Sequence, residues 1–384
     1  MKRVVVAMSG GVDSSVAAAL MHRQGYEVIG VTMTLSPNET QAAPAGRGCC
    51  SVWDVTDAEK VAWKLGIPHY AFNLRDEFRK HVIDDFLEEY ARGRTPNPCR
   101  RCNQHIKFDH LMQRAQELGA DKVVTGHYAR IREEGGRFHL LKGLDASKDQ
   151  SYVLASLTQA QLSRSLFPIG ELAKSQVRDL ARELGLDSVA NKPESMDLCF
   201  IPDGDTRGWL GVHLDRVPGE IVDESGEVLG EHDGALGYTV GQRRGLAIGR
   251  PAPDGNPRYV LSIRPVSNQV VVGSKDRLAI GRIAGGRYSL TGDPGFDLAE
   301  RFDCDVQIRA HADPVPATAR LVPIDEAERT EQHRAEATHE LVVDVDLRQA
   351  EPLLGVAPGQ SAVLYRGTRV LGQFTIDRAM PAAA

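Results

Sequence analysis

No apolar run in the 384-residue sequence approaches membrane-spanning length, so it offers no bilayer-crossing helix. The opening Met1-Lys2-Arg3, followed by only five apolar residues, is too short for a signal peptide. Six cysteines without a secretory signal point to a reducing cytoplasm, where cysteines are reactive or metal-binding rather than structural disulfides. Positive charge is not in excess: 46 Lys and Arg against 52 Asp and Glu leave a net charge of −6. That balance argues against loose, global attraction to nucleic acid and leaves room for a local basic patch. Internal repeats and low-complexity tracts are absent. Two common nucleotide signatures are also missing, the Gly-Lys-Ser/Thr phosphate loop and the G-x-G-x-x-G dinucleotide fingerprint.

Apolar residues at 42% and charged residues at 26% are those of a soluble globular protein, and the length predicts two or three domains. The chain is organised around Ser9-Gly10-Gly11-Val12-Asp13-Ser14-Ser15. Before it, the β-branched run Val4–Val6 reads as a buried strand; behind it, apolar residues through Met21 read as a helix stopped by Gly25. A glycine-rich turn between strand and helix leaves backbone N–H groups pointing outward at the positive end of the helix dipole. The Ser14 and Ser15 hydroxyls add donors, and the combination suits a phosphate or pyrophosphate. A lone Gly-Gly would be an ordinary tight turn, but three serines and an Asp set this stretch apart.

Strand patterns at Glu27–Leu35, His69–Leu74 and Lys122–Thr125 alternate with helical patterns at Asp54–Gly66, Asp76–Tyr90 and Asp109–Gly119. Such alternation predicts an α/β fold with a parallel sheet covered on both faces and ligands at the carboxyl ends of its strands. Ser36–Ser51 reads as an exposed loop, and the helical pattern resumes over Leu172–Gly185. After about Gly204, short alternating segments take over, including a hairpin across Glu224-Ser225-Gly226. The expected organisation is a nucleotide-binding domain over 1–205, a small central β domain over 206–280 and a C-terminal β-barrel over 281–384. The charged stretch Asp325–Glu340 reads as a solvated loop of that barrel.

Arg92–Lys107 carries five Arg or Lys and no acid inside an acidic protein. Pro96 and Pro98 predict an extended loop there, holding Cys99 and Cys102 on either side of Arg100 and Arg101. Fixed positive charge favours the thiolate, a better nucleophile or metal ligand. A zinc or iron–sulfur half-site fits the C-x-x-C spacing, but a second C-x-x-C is lacking and Cys49-Cys50 is a poor substitute. A thioredoxin-like pair needs a helix start, against which the prolines argue. A catalytic cysteine in an RNA-binding loop fits both the sulfur and the charge. Cys199, alone, reads as a buried structural cysteine, as does Cys304, while Cys49 and Cys50 stay undecided.

Ser9–Ser15 resembles the pyrophosphatase loop of enzymes that split ATP into AMP and pyrophosphate to adenylate an oxygen. With Thr95–Cys99, Cys102-Asn103, Lys107-Phe108, Gly126-His127-Tyr128, Lys148–Tyr152, Ser195–Ile201 and Gly241–Leu246, the whole chain resembles the bacterial tRNA-specific 2-thiouridylases. The resemblance implies thiolation of the wobble uridine in tRNAs for Lys, Glu and Gln. It implies ATP bound by Ala7, Met8, Ser9, Gly10, Gly11, Val12, Asp13, Ser14, Met33 and Gly126, with Asp13 helping to hold Mg²⁺. Asn97, Pro98 and Cys99 would contact the target base, and Lys148, Asp149, Gln150, His127 and Gln360 the tRNA. Cys102 matches the nucleophile, and Cys199 the carrier of a persulfide received from a cysteine desulfurase or sulfur relay protein. Family members often carry an Arg-Tyr pair in the barrel where this chain has Arg309-Ala310. Three alternatives remain: an iron–sulfur cluster on Cys99, Cys102 and Cys199; another pyrophosphatase-loop synthetase; and a non-catalytic RNA-binding protein, which would leave the phosphate loop unexplained.

Overall fold

The computed structural model describes residues 2–35, 52–193, 198–201, 203–246, 248–250, 252, 254–291, 300–324 and 338–382. The chain divides into two compact units: Met1–Asp84, Pro98–Gly204 and Thr368–Val370 form the first, and Asp85–Asn97, Asp205–Gly367 and Leu371–Ala384 the second. Among the described residues no helix is long and apolar enough to cross a membrane.

In the first unit, β1 (Arg3–Ala7), β2 (Glu27–Thr34), β3 (His69–Asn73), β4 (Lys122–Val124) and β7 (Ser165–Leu166) form one sheet in the order β3-β2-β1-β4-β7. Every pairing is parallel, as the alternation predicts. β1 is central, and Val4, Val5 and Val6 are wholly buried, which a β-branched run covered on both faces requires. α1 (Val12–Arg23) packs on the sheet through Val16, Ala17, Ala18 and Ala19, whose small side chains let helix and sheet approach closely. α2 (Val52–Leu65) adds Ala58, Val61 and Ala62 to the same core. Ala129–Glu134 and Arg137–Lys142 form an antiparallel hairpin, β5–β6, beyond β4.

One sequence expectation is overturned here. Cys99 and Cys102 do not lie in an extended loop: Pro98 opens a helix over Pro98–Arg101. It continues through a nine-residue π-helical stretch, Cys102–His110, into Leu111–Glu117. Proline suits a first helical position, where its missing N–H is not needed and its fixed φ is already helical. The argument that the prolines keep the C-x-x-C pair away from a helix start therefore fails as well. The helix expected at Asp76–Tyr90 forms, with a π-helical turn at Arg79–Ile83 between Arg75–Phe78 and Asp84–Ala91.

In the second unit the helix Thr206–His213 precedes a small sheet. Its strands β8 (Gly219–Val222), β9 (Val228–His232), β10 (Tyr259–Arg264) and β11 (Gln269–Gly273) run in the order β10-β11-β8-β9. The β8–β9 pair is the expected hairpin. The remaining strands are β12 (Ala279–Gly285), β13 (Arg287–Leu290), β14 (Phe302–Gln307), β15 (Val315–Pro323), β16 (His339–Val345), β17 (Leu353–Leu354), β18 (Ser361–Arg366), β19 (Arg369–Thr375) and β20 (Arg378–Pro381). Pairing runs from β12 through β16, β15, β14 and β18 to β19. β13 then pairs with β19 and β20 with β12, so the ring closes into a barrel around Val306, Leu341, Val343, Leu364 and Phe374. Residues 325–337 of the charged stretch lie outside the described residues. Its end is not a solvated loop, because Glu340 is a buried member of β16 that accepts from Arg378.

Asp85–Asn97 is held in this second unit by buried ion pairs. Arg94 donates to Glu89 Oε2 and to Asp377 Oδ1, each at 2.7 Å, and Arg287 donates to Glu89 Oε1 at 3.0 Å. The Thr95 N–H adds a bond to the Pro358 carbonyl at 2.7 Å.

Candidate active site

The phosphate loop lies at the carboxyl end of β1, where the chain turns into α1. Gly11 is the helix cap residue and supplies no side-chain cap, so the first-turn N–H groups meet no capping side chain. Gly10 has φ +69°, and a Cβ there would come within 2.5 Å of the Asp54 carbonyl oxygen. Gly126, just past β4, is equally constrained: a Cβ would lie 2.6 Å from the Ser14 nitrogen. Both glycines let neighbouring backbone close on the loop. The serine hydroxyls do not serve as expected. Ser15 Oγ donates to the Gly11 carbonyl at 2.8 Å, and Ser14 Oγ donates to it at 3.2 Å while accepting from the Ser9 N–H. A helical Ser finds the carbonyl one turn back, which draws both hydroxyls into the helix start.

Asp13 receives the Lys174 ammonium on both oxygens, at 2.8 and 2.7 Å, and the Tyr128 hydroxyl at 2.7 Å on Oδ1. Lys174 opens the helix Lys174–Glu183 and also lies over the Tyr128 ring, 5.6 Å from its centroid. Both oxygens of Asp13, the residue expected to help hold Mg²⁺, are thus engaged by an ammonium. Lys192 donates to the Gly10 carbonyl at 3.2 Å, to Asp54 Oδ1 at 2.9 Å and to Asp57 Oδ2 at 3.0 Å. Burial alone would lower the Lys192 pKa, but the two carboxylates raise it overall.

Cys99 is exposed in the first turn of its helix, Cys102 is half-buried at the start of the π-helical stretch, and Cys199 is half-buried. After Cys199, Phe200 packs edge-on against Phe78 at 6.0 Å and Ile201 is wholly buried. Among the described residues no group of three His, Cys, Asp or Glu side chains could hold a metal ion, so the iron–sulfur alternative finds no ligand set there. Cys304 is buried in β14, and burial pushes its thiol up to about 12. Cys49, Cys50 and Ser195 lie outside the described residues.

A family model described as "tRNA methyl transferase HUP domain" matches residues 2–203, a PRC-barrel domain of the same series residues 207–274, and an "Aminomethyltransferase beta-barrel domain" residues 326–376. The tRNA-specific 2-thiouridylase MnmA of Kocuria rhizophila is 52% identical over 389 residues, covering 98% of this chain and 97% of that protein. The chain belongs to the tRNA-specific 2-thiouridylase family. The member from Renibacterium salmoninarum is 51% identical over 381 residues, at 98% and 97% coverage. Among solved structures, a 4-thiouridine synthetase–RNA complex with bound ATP aligns at 21% identity and a TM-score of 0.32, over 52% of this chain and 45% of that one.

In this 2-thiouridylase-family chain, the residues matched to tRNA contacts vary in exposure. His127 is 7% exposed, bonded to Thr125 Oγ1 at 2.7 Å and enclosed by Phe108 and Phe167; burial, with Lys107 nearby, lowers its pKa well below the usual value. Asp149 accepts from the Gly143 and Ser151 N–H groups. Gln150 accepts from the Tyr128 N–H at 3.0 Å, bracing the tyrosine that reaches Asp13. Lys148 and Asn97 are half-buried, and Pro98 is buried. Gln360 donates to the Pro96 carbonyl at 3.3 Å, one residue before Asn97. Met33, Ala7 and Met8 are buried on the sheet. The basic stretch is not an open patch: Arg100 is 6% exposed and Arg94 belongs to the buried ion cluster. Sequence reasoning gave no role to Lys174, Tyr128 or Lys192. Tyr128 stands inside the Gly126-His127-Tyr128 motif, but its partner Asp13 lies 115 residues away, and Lys192 lies 182 residues from Gly10.

Proposed function

We propose that this chain replaces the 2-oxygen of the wobble uridine in tRNAs for Lys, Glu and Gln with sulfur, using ATP to make that oxygen a leaving group. As a 2-thiouridylase-family enzyme it is a tRNA sulfurtransferase of the ATP-using pyrophosphatase-loop kind. The observation that carries the detailed reading is that one compact unit holds both the phosphate loop, at the carboxyl edge of its parallel sheet, and the two motif thiols Cys102 and Cys199. Methyl transfer, the wording of the matching family model, needs neither a pyrophosphate cradle nor paired thiols.

The uridine 2-oxygen attacks the α-phosphorus of ATP, the α–β anhydride breaks, and pyrophosphate departs into the loop. The first-turn N–H groups of α1 and the Lys174 ammonium face that charge, with Asp13 and Tyr128 fixing the lysine. Mg²⁺ would arrive on the nucleotide's own phosphates rather than on Asp13. A cysteine desulfurase or sulfur relay protein loads Cys199 as a persulfide. In one route the terminal sulfur bonds to C2, AMP leaves with the former 2-oxygen, and the Cys102 thiolate attacks the Cys199 sulfur to free the thiocarbonyl. In the other, Cys102 attacks Cys199 first, and the expelled hydrosulfide attacks C2. Either route ends in a Cys102–Cys199 disulfide, which a cellular thiol reductant reopens.

Residues 1–205 carry this chemistry, and 206–280 with the barrel at 281–384 hold the tRNA. Asn97, Pro98 and Cys99 meet the base, and the reaction belongs in the cytoplasm, where tRNA and reduced thiols coexist. The test combines purified chain, ATP, unmodified tRNA and a persulfide donor. One AMP and one pyrophosphate are expected for each 2-thiouridine in the digested tRNA. ADP as the nucleotide product, or tRNA without 2-thiouridine, would sink the reading.

A further inference from the structure

We infer that Lys192 is a positioning residue that ties the segment bearing Cys199 to the phosphate loop, so that nucleotide binding is transmitted to the sulfur carrier. The inference deepens the proposed function and rests on its assignment of Cys199. Lys192 stands seven positions before Cys199. Its ammonium is held by oxygens from two other elements: the Gly10 carbonyl within the phosphate loop, and the Asp54 and Asp57 carboxylates in the first turns of α2. On the far side of Cys199, Phe200 is packed on Phe78 and Ile201 is wholly buried. The carrier cysteine is thus flanked by two fixed points, and only the upstream one touches the nucleotide loop.

Gly10 is the receiving end. Its left-handed backbone lies where a Cβ would collide with the Asp54 backbone, while its carbonyl accepts the Lys192 ammonium. A shift of the loop on binding a triphosphate therefore moves a carbonyl that Lys192 holds. Charge points the same way. The Asp54 side chain is only 5% exposed, and two carboxylates beside a polyphosphate site would repel the ligand unless a cation stands among them. Lys192 supplies that cation from the Cys199 segment, so the charge that makes the loop hospitable to ATP is contributed by the carrier's own tether. Lys60 within α2 also pairs with Asp57, at 3.3 Å, but a local lysine balances charge without linking the two parts.

The experiment measures alkylation of Cys199 by iodoacetamide, resolved by peptide mass spectrometry, with and without ATP, and uses exposed Cys99 as an internal reference. In the unaltered chain ATP should change the Cys199 rate about fivefold, the low end of ordinary coupling between sites. Lys192→Met should abolish that response and weaken ATP binding about tenfold, the size expected when one close charge is lost near a ligand. Lys192→Arg, which retains the charge, should restore much of both. Asp57→Asn removes one partner at a partly exposed position and should give an intermediate response. It decides the matter if Lys192→Met does not fold. A Cys199 rate indifferent to ATP in the unaltered chain, or a full response surviving in the folded variants, overturns the inference. Because alkylation needs no tRNA and no sulfur donor, this outcome is independent of whether 2-thiouridine is formed.

Discussion

Burial of two single side chains sets opposite limbs of the pH–stability curve. His127, enclosed by Phe108 and Phe167, stays neutral in the folded chain but takes up a proton near its ordinary value of 6.5 when unfolded. Its contribution is present above that pH and is lost as pH falls below it. Cys304 is the mirror case: its thiol is pushed from 9.0 up to about 12, so its contribution is whole below 9.0 and is lost as pH rises through that window. Tyr90, pushed up to about 12 by burial, adds to the same alkaline limb. Urea midpoints measured against pH should show Cys304→Ala flattening the alkaline limb and His127→Asn flattening the acid one. Cys304→Ala should keep full thiolation, since a buried neutral thiol in a barrel strand cannot act as a nucleophile. Loss of thiolation in a well-folded Cys304→Ala protein would contradict that division of labour.

At the scale of elements, the helix that begins at Pro98 sets which arginines are open to a tRNA phosphate. Arg100 points inward, bonded to Gln104, whereas Arg101 is half-buried beside His105. Arg101→Gln should lower the slope of log affinity against log salt by about one, and Arg100→Gln should leave the slope unchanged. Filter binding over a salt series separates the two, and equal effects would return the basic stretch to an open patch. The ion cluster that fixes Asp85–Asn97 carries a second expectation. Arg94 and Glu89 are each 3% exposed and Asp377 4%, so Arg94→Met takes the arginine from buried Asp377 and leaves Glu89 with Arg287 alone, and should cost about 3–5 kcal/mol, read from urea unfolding. An unchanged midpoint would mean that water reaches the cluster. The strands and helices around β1 were legible because valine runs and fourfold apolar spacing are local signals. The helix at Pro98 was not, because proline marks a helix start as readily as a break, and residues further along settle which. β7, two residues long, has no period to read.

For the whole molecule, the class of fold and the location of the nucleotide site follow from the alternation of strand and helix with a glycine turn at the central strand's end. The wiring of the site does not. Lys174 meets Asp13 across 161 residues, and Lys192 meets Asp54 across 138. Neither lysine has a sequence neighbourhood that announces its partner, since such pairs arise only when packed elements bring distant positions together. The ammonium on Asp13 was hidden for that reason, because it comes from a helix far along the chain. The same remoteness hid the end of the charged stretch, where Glu340 is drawn into the barrel by Arg378.

The division of the chain into interleaved units bears on its synthesis. Asp85–Asn97 belongs with residues that emerge from the ribosome much later, and Arg94 waits for Asp377, 283 positions downstream. At ordinary elongation rates that interval is roughly 15–60 s, during which a buried-type Arg–Glu pair and its flanking segment stay unassembled. The nascent N-terminal sheet can collect its own strands in that time. The segment leading to Asn97 cannot settle until the last strands arrive, so this early stretch is finished only with the complete polypeptide.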